Sequence, residues 1–145
     1  MSTHGWGRTQ KYRSRPRYLY ALLFDNGACY IGQTVNLKSR LDQHQLPSGG
    51  WMGAPFKMVR LGQAMGTQLH AEDHEYAWRY KAQNAGWIVY AKPPSIVIDA
   101  TRRMTLKRRL LALGMRWPRK HRRTLGGWRW AAGILAVAAL MILAR

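Results

Sequence analysis

The sequence contains little cysteine and few acidic residues. Its one cysteine, Cys29, excludes an internal disulfide and a zinc site built from cysteines. Aspartate and glutamate together number 6, against 24 lysines and arginines, so the 145-residue chain has a formal net charge of +18. A charge of this size indicates a polyanionic partner, with nucleic acid as the first candidate and an anionic membrane surface as the second. A hydrophobic fraction of 47% argues against a disordered basic protein.

Charge and hydropathy divide the chain into four segments. Residues 1–17 are polar and basic, contain no apolar core of the kind found in a secretory signal, and are expected to form a flexible arm. Between residues 102 and 123 there are ten basic residues and no acid, which predicts a basic helix or linker. The predicted organisation is a basic arm at 1–17, a small domain at 18–100, a basic segment at 101–124 and an apolar segment at 125–145.

The apolar segment contains fifteen residues without a charge, 130–144. As a helix this run spans about 22 Å, which is short of a bilayer hydrocarbon core of about 30 Å. Interfacial Trp128 and Trp130, with snorkelling Arg129 and Arg145, would make up the difference. Because the run has no polar face, we expect a single-pass C-terminal membrane anchor, with the rest of the chain on the cytoplasmic side. The basic segment would then contact either lipid headgroups or DNA.

Hydrophobic patterns and turn residues predict an α+β domain. Asn26-Gly27 separates two apolar runs, which is typical of a β-hairpin. Asn36 and Thr67 favour helix N-termini, and Gly86 favours a helix C-terminus. The predicted strands are 18–24, 28–32 and 56–61, with a short extended run at 87–90, and the predicted helices are 37–45, 67–85 and 103–113. The last helix is predicted to have basic residues on one side and leucines on the other, namely Leu106, Leu110 and Leu113.

The hairpin and the first helix carry side chains that suit phosphate chemistry. Tyr20 and Tyr30 lie on the two paired strands and can meet across the ladder. Arg40 and His44 are four residues apart and share a face of the first helix. A guanidinium matches phosphate oxygens, and a tyrosine can transfer a proton if nearby cations lower its pKa. These groups indicate cleavage of a phosphodiester bond.

A glycine and two carboxylates add to this pattern. Gly32 ends the second predicted strand, where the absence of a Cβ lets a phosphate or a helix N-terminus approach. Glu72 and Glu75 are three residues apart on one face of the long helix. A carboxylate there can hold a hard cation such as Mg²⁺ while water and phosphate complete the coordination. The sequence therefore predicts a metal-assisted site.

The spacing of these motifs matches a known pattern. Tyr18-Leu19-Tyr20 is followed, ten residues from Tyr20, by Tyr30-Ile31-Gly32, and Arg40 stands eight residues after the glycine. Farther on, Glu75 is followed three residues later by the bulky apolar Trp78. The chain thus resembles the GIY-YIG endonuclease superfamily, in which an arginine and a metal-binding glutamate stand at these spacings. Tyr18 departs from the pattern, since the family has a small residue there.

The resemblance implies a small three-stranded antiparallel sheet flanked by helices, and hydrolysis of nucleic acid with one divalent metal, Mg²⁺ or Mn²⁺. It implies that Glu75 is the metal ligand, with Glu72 as the second choice. Either Tyr20 or Tyr30 would act as the general base or relay a proton to it. The remaining implied roles are stabilisation of the phosphate by Arg40, proton transfer or phosphate contact by His44, and nucleic-acid contact by Gly32, Lys38 and Arg40.

Three interpretations remain open from the sequence. The first is a metal-dependent DNA endonuclease tethered to the inner face of the membrane. The second is a catalytically inactive DNA-binding adaptor of the same fold at the membrane, which Tyr18 in place of a small residue favours. The third is a basic, tail-anchored membrane protein whose likeness to nucleases is fortuitous.

Overall fold

The computed structural model describes residues 15–64, 66–93 and 96–117. Most of the predicted basic arm, the end of the basic segment and the whole predicted membrane anchor lie outside the described residues. Within the described ranges, no helix combines the length and the apolar composition needed to cross a membrane.

The described residues form five strands and three helices. The hairpin strands and the first helix come first, and a longer helix connects the third strand to the fourth. The elements are β1 (Arg17–Phe24), β2 (Ala28–Thr34), α1 (Leu37–Gln45), β3 (Phe56–Ala64), α2 (Gln68–Asn84), β4 (Ile88–Lys92), β5 (Ile96–Val97) and α3 (Leu106–Leu113), with a short 3-10 turn at Pro47–Gly49.

The sheet has the strand order β3-β1-β2-β4-β5. Strand β1 is antiparallel to both β2 and β3, and these are the three predicted strands. The α+β class is confirmed, but a sheet of only three antiparallel strands is wrong. Strand β4 adds to β2 in parallel, and β5 pairs antiparallel with β4. The extended run predicted at 87–90 corresponds to β4, but its place in the sheet was not predicted because pairing over a long sequence separation leaves no local pattern. Strand β5 was not predicted, since it has only two residues.

Side-chain caps fix where each helix begins. The Asn36 side chain accepts a hydrogen bond from the amide of Ser39 at 3.1 Å, and α1 covers the predicted residues. Thr67 caps α2 in the same way. The third helix begins at Leu106 rather than at Arg103, because Thr105 is its cap.

The strands of the hairpin divide the core into two layers, one on each face of the sheet. Alternate residues of β1 point to opposite faces, so that Leu19 and Tyr20 belong to different layers. The layer against α2 is mainly aliphatic, with indole rings at its edge: Leu19, Ala21, Leu23, Cys29, Ile31, Ala64, Ala71, Trp78, Ala82, Trp87 and Val89. The layer on the α1 side is largely aromatic: Tyr20, Leu22, Phe24, Ala28, Trp51 and Tyr90, with Tyr30, Leu37, Phe56 and Met58 packed against it.

Helix α3 packs against α2 through polar contacts. The Arg108 guanidinium lies 4.0 Å from the centroid of the Tyr76 ring, and its Nε donates to Asp73 at 2.8 Å. The leucines of α3 share one side, as predicted. That side faces solvent, because the opposite side meets α2.

Candidate active site

The β1–β2 pairing brings the two tyrosines together. Tyr20 lies opposite Gly32 and Tyr30 opposite Leu22, so the phenol rings are diagonal neighbours with centroids 6.3 Å apart. A Cβ on Gly32 would stand 2.6 Å from the Tyr20 hydroxyl and 3.0 Å from the Tyr30 ring. The glycine therefore makes room for the two tyrosines. From the sequence, the space beside Gly32 was instead expected to admit a phosphate or a helix N-terminus.

Four of the predicted side chains surround one cavity of about 360 Å³. It lies beside β2, between the start of α1 and the middle of α2. The residues that line it are Arg17, Tyr20, Tyr30, Gly32, Gln33, Arg40, Gln68 and Glu75. Glu72, Lys38 and His44 are not among these lining residues. Lys38 is exposed on α1, and His44 lies behind Tyr20.

His44 is held between an indole and a phenol. Nε1 of Trp51 donates to Nδ1 of His44 at 3.1 Å, and Nε2 of His44 is 2.9 Å from the Tyr20 hydroxyl oxygen. An indole N–H can only donate, so Nδ1 must accept and the neutral ring carries its proton on Nε2. His44 therefore donates to the Tyr20 oxygen. Burial, and secondarily the charge of Arg40, lowers the pKa of His44 to about 4, so the ring is neutral at pH 7.

Both phenols are held in the neutral form, and each affects the pKa of the other. Burial raises the pKa of Tyr20 far above its usual value and also raises the pKa of Tyr30. Arg40 acts to lower the pKa of each phenol, but burial outweighs it. Because the Tyr20 oxygen accepts from His44, its own proton is directed to Tyr30, and that bond lowers the pKa of Tyr30. The hydrogen bonds thus run from Trp51 through His44 and Tyr20 to Tyr30.

Glu75 is the carboxylate of the cavity, and both of its oxygens have partners. Oε1 forms an ion pair with Arg79, one turn later on α2, and Oε2 accepts from Nε2 of Gln33 at 3.2 Å. Burial raises the pKa of Glu75, while Arg79 and then Gln33 act to lower it. The Gln33 amide oxygen in turn accepts from Arg17 at 3.1 Å. The carboxylate therefore lies within a polar chain that crosses the end of the hairpin.

The residues present fit a single hard cation better than a closed metal site. In the described part of the chain, no three histidine, cysteine, aspartate or glutamate side chains cluster so as to hold a metal. Glu75 can supply one carboxylate in a polar cavity, which suits an ion such as Mg²⁺ that keeps several waters and takes phosphate oxygens. Arg79 would compete with that ion for Oε1.

Several residues of this site were not predicted from the sequence. Arg79 carried a usable signal, since an arginine four residues after a glutamate on a helix forms an ion pair. Arg17 was assigned to the flexible arm, yet it is buried as the first residue of β1. The contact between Trp51 and His44 could not be predicted from local sequence, because it depends on the turn at Pro47–Gly49 that brings the two rings together.

The fold and the cavity together define a small α+β domain with side chains suited to phosphate chemistry around one cavity. Residues 16–84 match the family model of the GIY-YIG catalytic domain. This segment, a little under half of the chain, is therefore a domain of the GIY-YIG superfamily, whose members are generally endonucleases. No curated protein and no solved structure matches the chain significantly.

The family match excludes the third interpretation, in which the likeness to nucleases is fortuitous. Tyr18, which departs from the family pattern, lies outside the cavity lining, with the Arg60 guanidinium 4.8 Å from its ring centroid. The individual roles of the site residues remain predictions.

Proposed function

We propose that the protein is a metal-dependent endonuclease that hydrolyses phosphodiester bonds in DNA. One observation carries the proposal: Tyr20, Tyr30, Arg40 and Glu75 line a single cavity within the GIY-YIG domain. The high positive charge of the chain supports a polyanionic substrate, since each phosphate contact releases counterions.

Arg40 and Glu75 are proposed to act on the phosphate from two sides. Arg40 lines the cavity, so its guanidinium can meet a phosphate oxygen there, and its buried Nε has no hydrogen-bond partner among the described residues. Glu75 would hold Mg²⁺ or Mn²⁺, which when bound supplies positive charge to the phosphate. Lys38, exposed on α1, would contact the DNA backbone, and Gly32 would border the bound strand.

Tyr30 is the favoured proton acceptor. Its phenolate would form by loss of the phenol proton to solvent, favoured by Arg79 and Arg40 against the effect of burial. It would receive a hydrogen bond from Tyr20, and Tyr20 would in turn receive one from His44. Each donated bond stabilises negative charge on the next oxygen. His44 therefore serves as a hydrogen-bond donor to Tyr20, and Tyr20 connects His44 to Tyr30.

The test is cleavage of supercoiled plasmid by the full chain with Mg²⁺, with Mn²⁺ and with EDTA. We expect metal-dependent nicking that disappears in Glu75→Ala and persists in Glu72→Ala. The second variant is a matched control, because both glutamates lie on α2 and only Glu75 lines the cavity. Loss of cleavage in Glu72→Ala alone would move the metal ligand to Glu72.

A catalytically inactive DNA-binding adaptor is the alternative. The ion pair between Arg79 and Glu75 favours it, because this pair neutralises the carboxylate that a cation would need. Tight, salt-dependent DNA binding without nicking under any metal would establish the adaptor.

We also propose that a C-terminal anchor holds the domain at the cytoplasmic face of the membrane. The support is the uncharged run 130–144 and the basic residues that precede it. Flotation of the full chain with vesicles and its release on deletion of residues 125–145 would test this. A chain that fails to float, or floats equally well without those residues, would overturn it.

A further inference from the structure

Helix α3 presents an apolar stripe to solvent. Leu106 is 75% exposed, Leu110 60% and Leu113 79%, and their spacing places them in one row along the helix. These three side chains are called the leucine face below. A row of exposed leucines indicates a surface that another molecule covers.

Contacts on the opposite side of α3 hold the leucine face outward. Arg108 stacks on Tyr76 and its Nε donates to Asp73, which also pairs with Nζ of Lys107 at 2.8 Å. Ala112, one turn beyond Arg108, is buried against the domain. Rotation of α3 to bury the leucines would break these ion pairs. The exposure of the leucine face is therefore a consequence of how α3 docks.

Basic side chains border the leucine face. Lys107 and Arg109 lie on its two sides around the helix, and Arg102 and Arg116 lie beyond its two ends. The side chains of Arg102 and Lys107 are 83% and 62% exposed, and they pair with Asp99 and Asp73, which lie outside the leucine face. From residue 100 to residue 117 there is no acidic residue. The surface around the leucines is therefore apolar at its centre and positive at its rim.

We propose that the leucine face docks on an anionic lipid surface. A basic rim around an apolar row is the pattern of helices that lie in the membrane interface, with leucines among the acyl chains and cations at the headgroups. DNA offers few apolar groups for three adjacent leucines, since its interfaces are polar. The inference rests on the proposed membrane location and adds an orientation to it: α3 would lie flat on the bilayer.

The experiment labels the leucine face in the full chain. A Leu110→Cys variant carries an environment-sensitive fluorophore, and native Cys29 stays unlabelled because it is fully buried with its pKa raised to about 12. A Leu69→Cys variant is the matched control, since Leu69 on α2 is 73% exposed. The probes are phosphatidylcholine vesicles with and without phosphatidylglycerol, and duplex DNA.

We expect a blue shift and loss of aqueous quenching at Leu110 with phosphatidylglycerol vesicles, little change with pure phosphatidylcholine, and no comparable change at Leu69. Shielding of Leu110 before lipid is added would overturn the inference. Shielding that depends on protein concentration would indicate that a second copy covers the leucine face, and shielding that does not would indicate this chain's own apolar segment. Shielding by DNA alone would also overturn it. Flotation without shielding overturns the inference and leaves the proposed membrane location intact, whereas absence of flotation overturns both.

Discussion

The two faces of the central hairpin are built from neighbouring residues, but one face packs the core and the other borders the cavity. Ile31 points into the aliphatic layer under α2 and is fully buried, whereas Tyr30, the residue before it, points to the aromatic layer and the cavity. The aliphatic face gains stability from packing alone. The aromatic face holds phenols, an imidazole and an indole in a directed series of hydrogen bonds. Alternation along one strand can therefore separate stability from chemistry.

The largest expected effect lies on the aromatic face. Tyr30→Phe removes the favoured proton acceptor while keeping the ring, so we expect plasmid cleavage to fall by about 10²- to 10⁴-fold with little change in unfolding. Single-turnover cleavage and urea unfolding of the same preparation check this. Unchanged cleavage would show that Tyr30 is not the acceptor, and Tyr20→Phe would then be the variant to examine.

The next effect belongs to the aliphatic face. Ile31→Ala leaves a cavity under α2, and we expect the free energy of unfolding to fall by about 2 to 5 kcal/mol. Cleavage per folded molecule should change far less than in Tyr30→Phe. An Ile31→Ala protein that keeps its stability but loses cleavage would contradict the division between the faces.

Gly32 joins the two faces, and its substitution should affect both properties. The Cβ of Gly32→Ala would meet the buried Tyr20 hydroxyl at 2.6 Å, so we expect a loss of about 1 to 3 kcal/mol in unfolding free energy together with weaker cleavage. Gly114→Ala is the control, because the nearest atom to its Cβ, the Leu111 carbonyl oxygen, is 3.9 Å away. Equal stability of the two variants would show that Tyr20 can move aside.

The smallest effect is a pH dependence of stability from His44. Its pKa is about 4 in the folded protein and near 6.5 when unfolded, so the unfolded chain binds more protons between these values. Stability is therefore full above about pH 6.5 and declines as the pH falls toward 4, by less than about 1.4 kcal/mol per pH unit because the ring is only half-buried. Urea unfolding across this range, compared with His44→Gln, isolates the contribution. A slope unchanged in the variant would refute it.

Local patterns were sufficient to predict the hairpin, α1 and the cap of α2. The turn at Asn26-Gly27 and the cap at Asn36 act over a few residues, so their chemistry is readable from the sequence. The bond from Trp51 to His44 depends on geometry that sequence spacing does not fix, whereas the pairing of Arg79 with Glu75 follows from their four-residue spacing on one helix. The parallel position of β4 depends on packing between distant segments. The cavity-lining groups were therefore predicted better than the groups that hold them.

The parallel pairing of β4 with β2 has a consequence for the order in which the protein folds during its synthesis. The hairpin closes over a few residues and can form within microseconds, whereas β4 can join β2 only after residues 35–87 have been synthesised. Helix α2, which carries Glu75, lies within that connection. A partly made chain that ends before α2 therefore has the two tyrosines without the carboxylate, and the complete set of groups first exists once α2 has been synthesised.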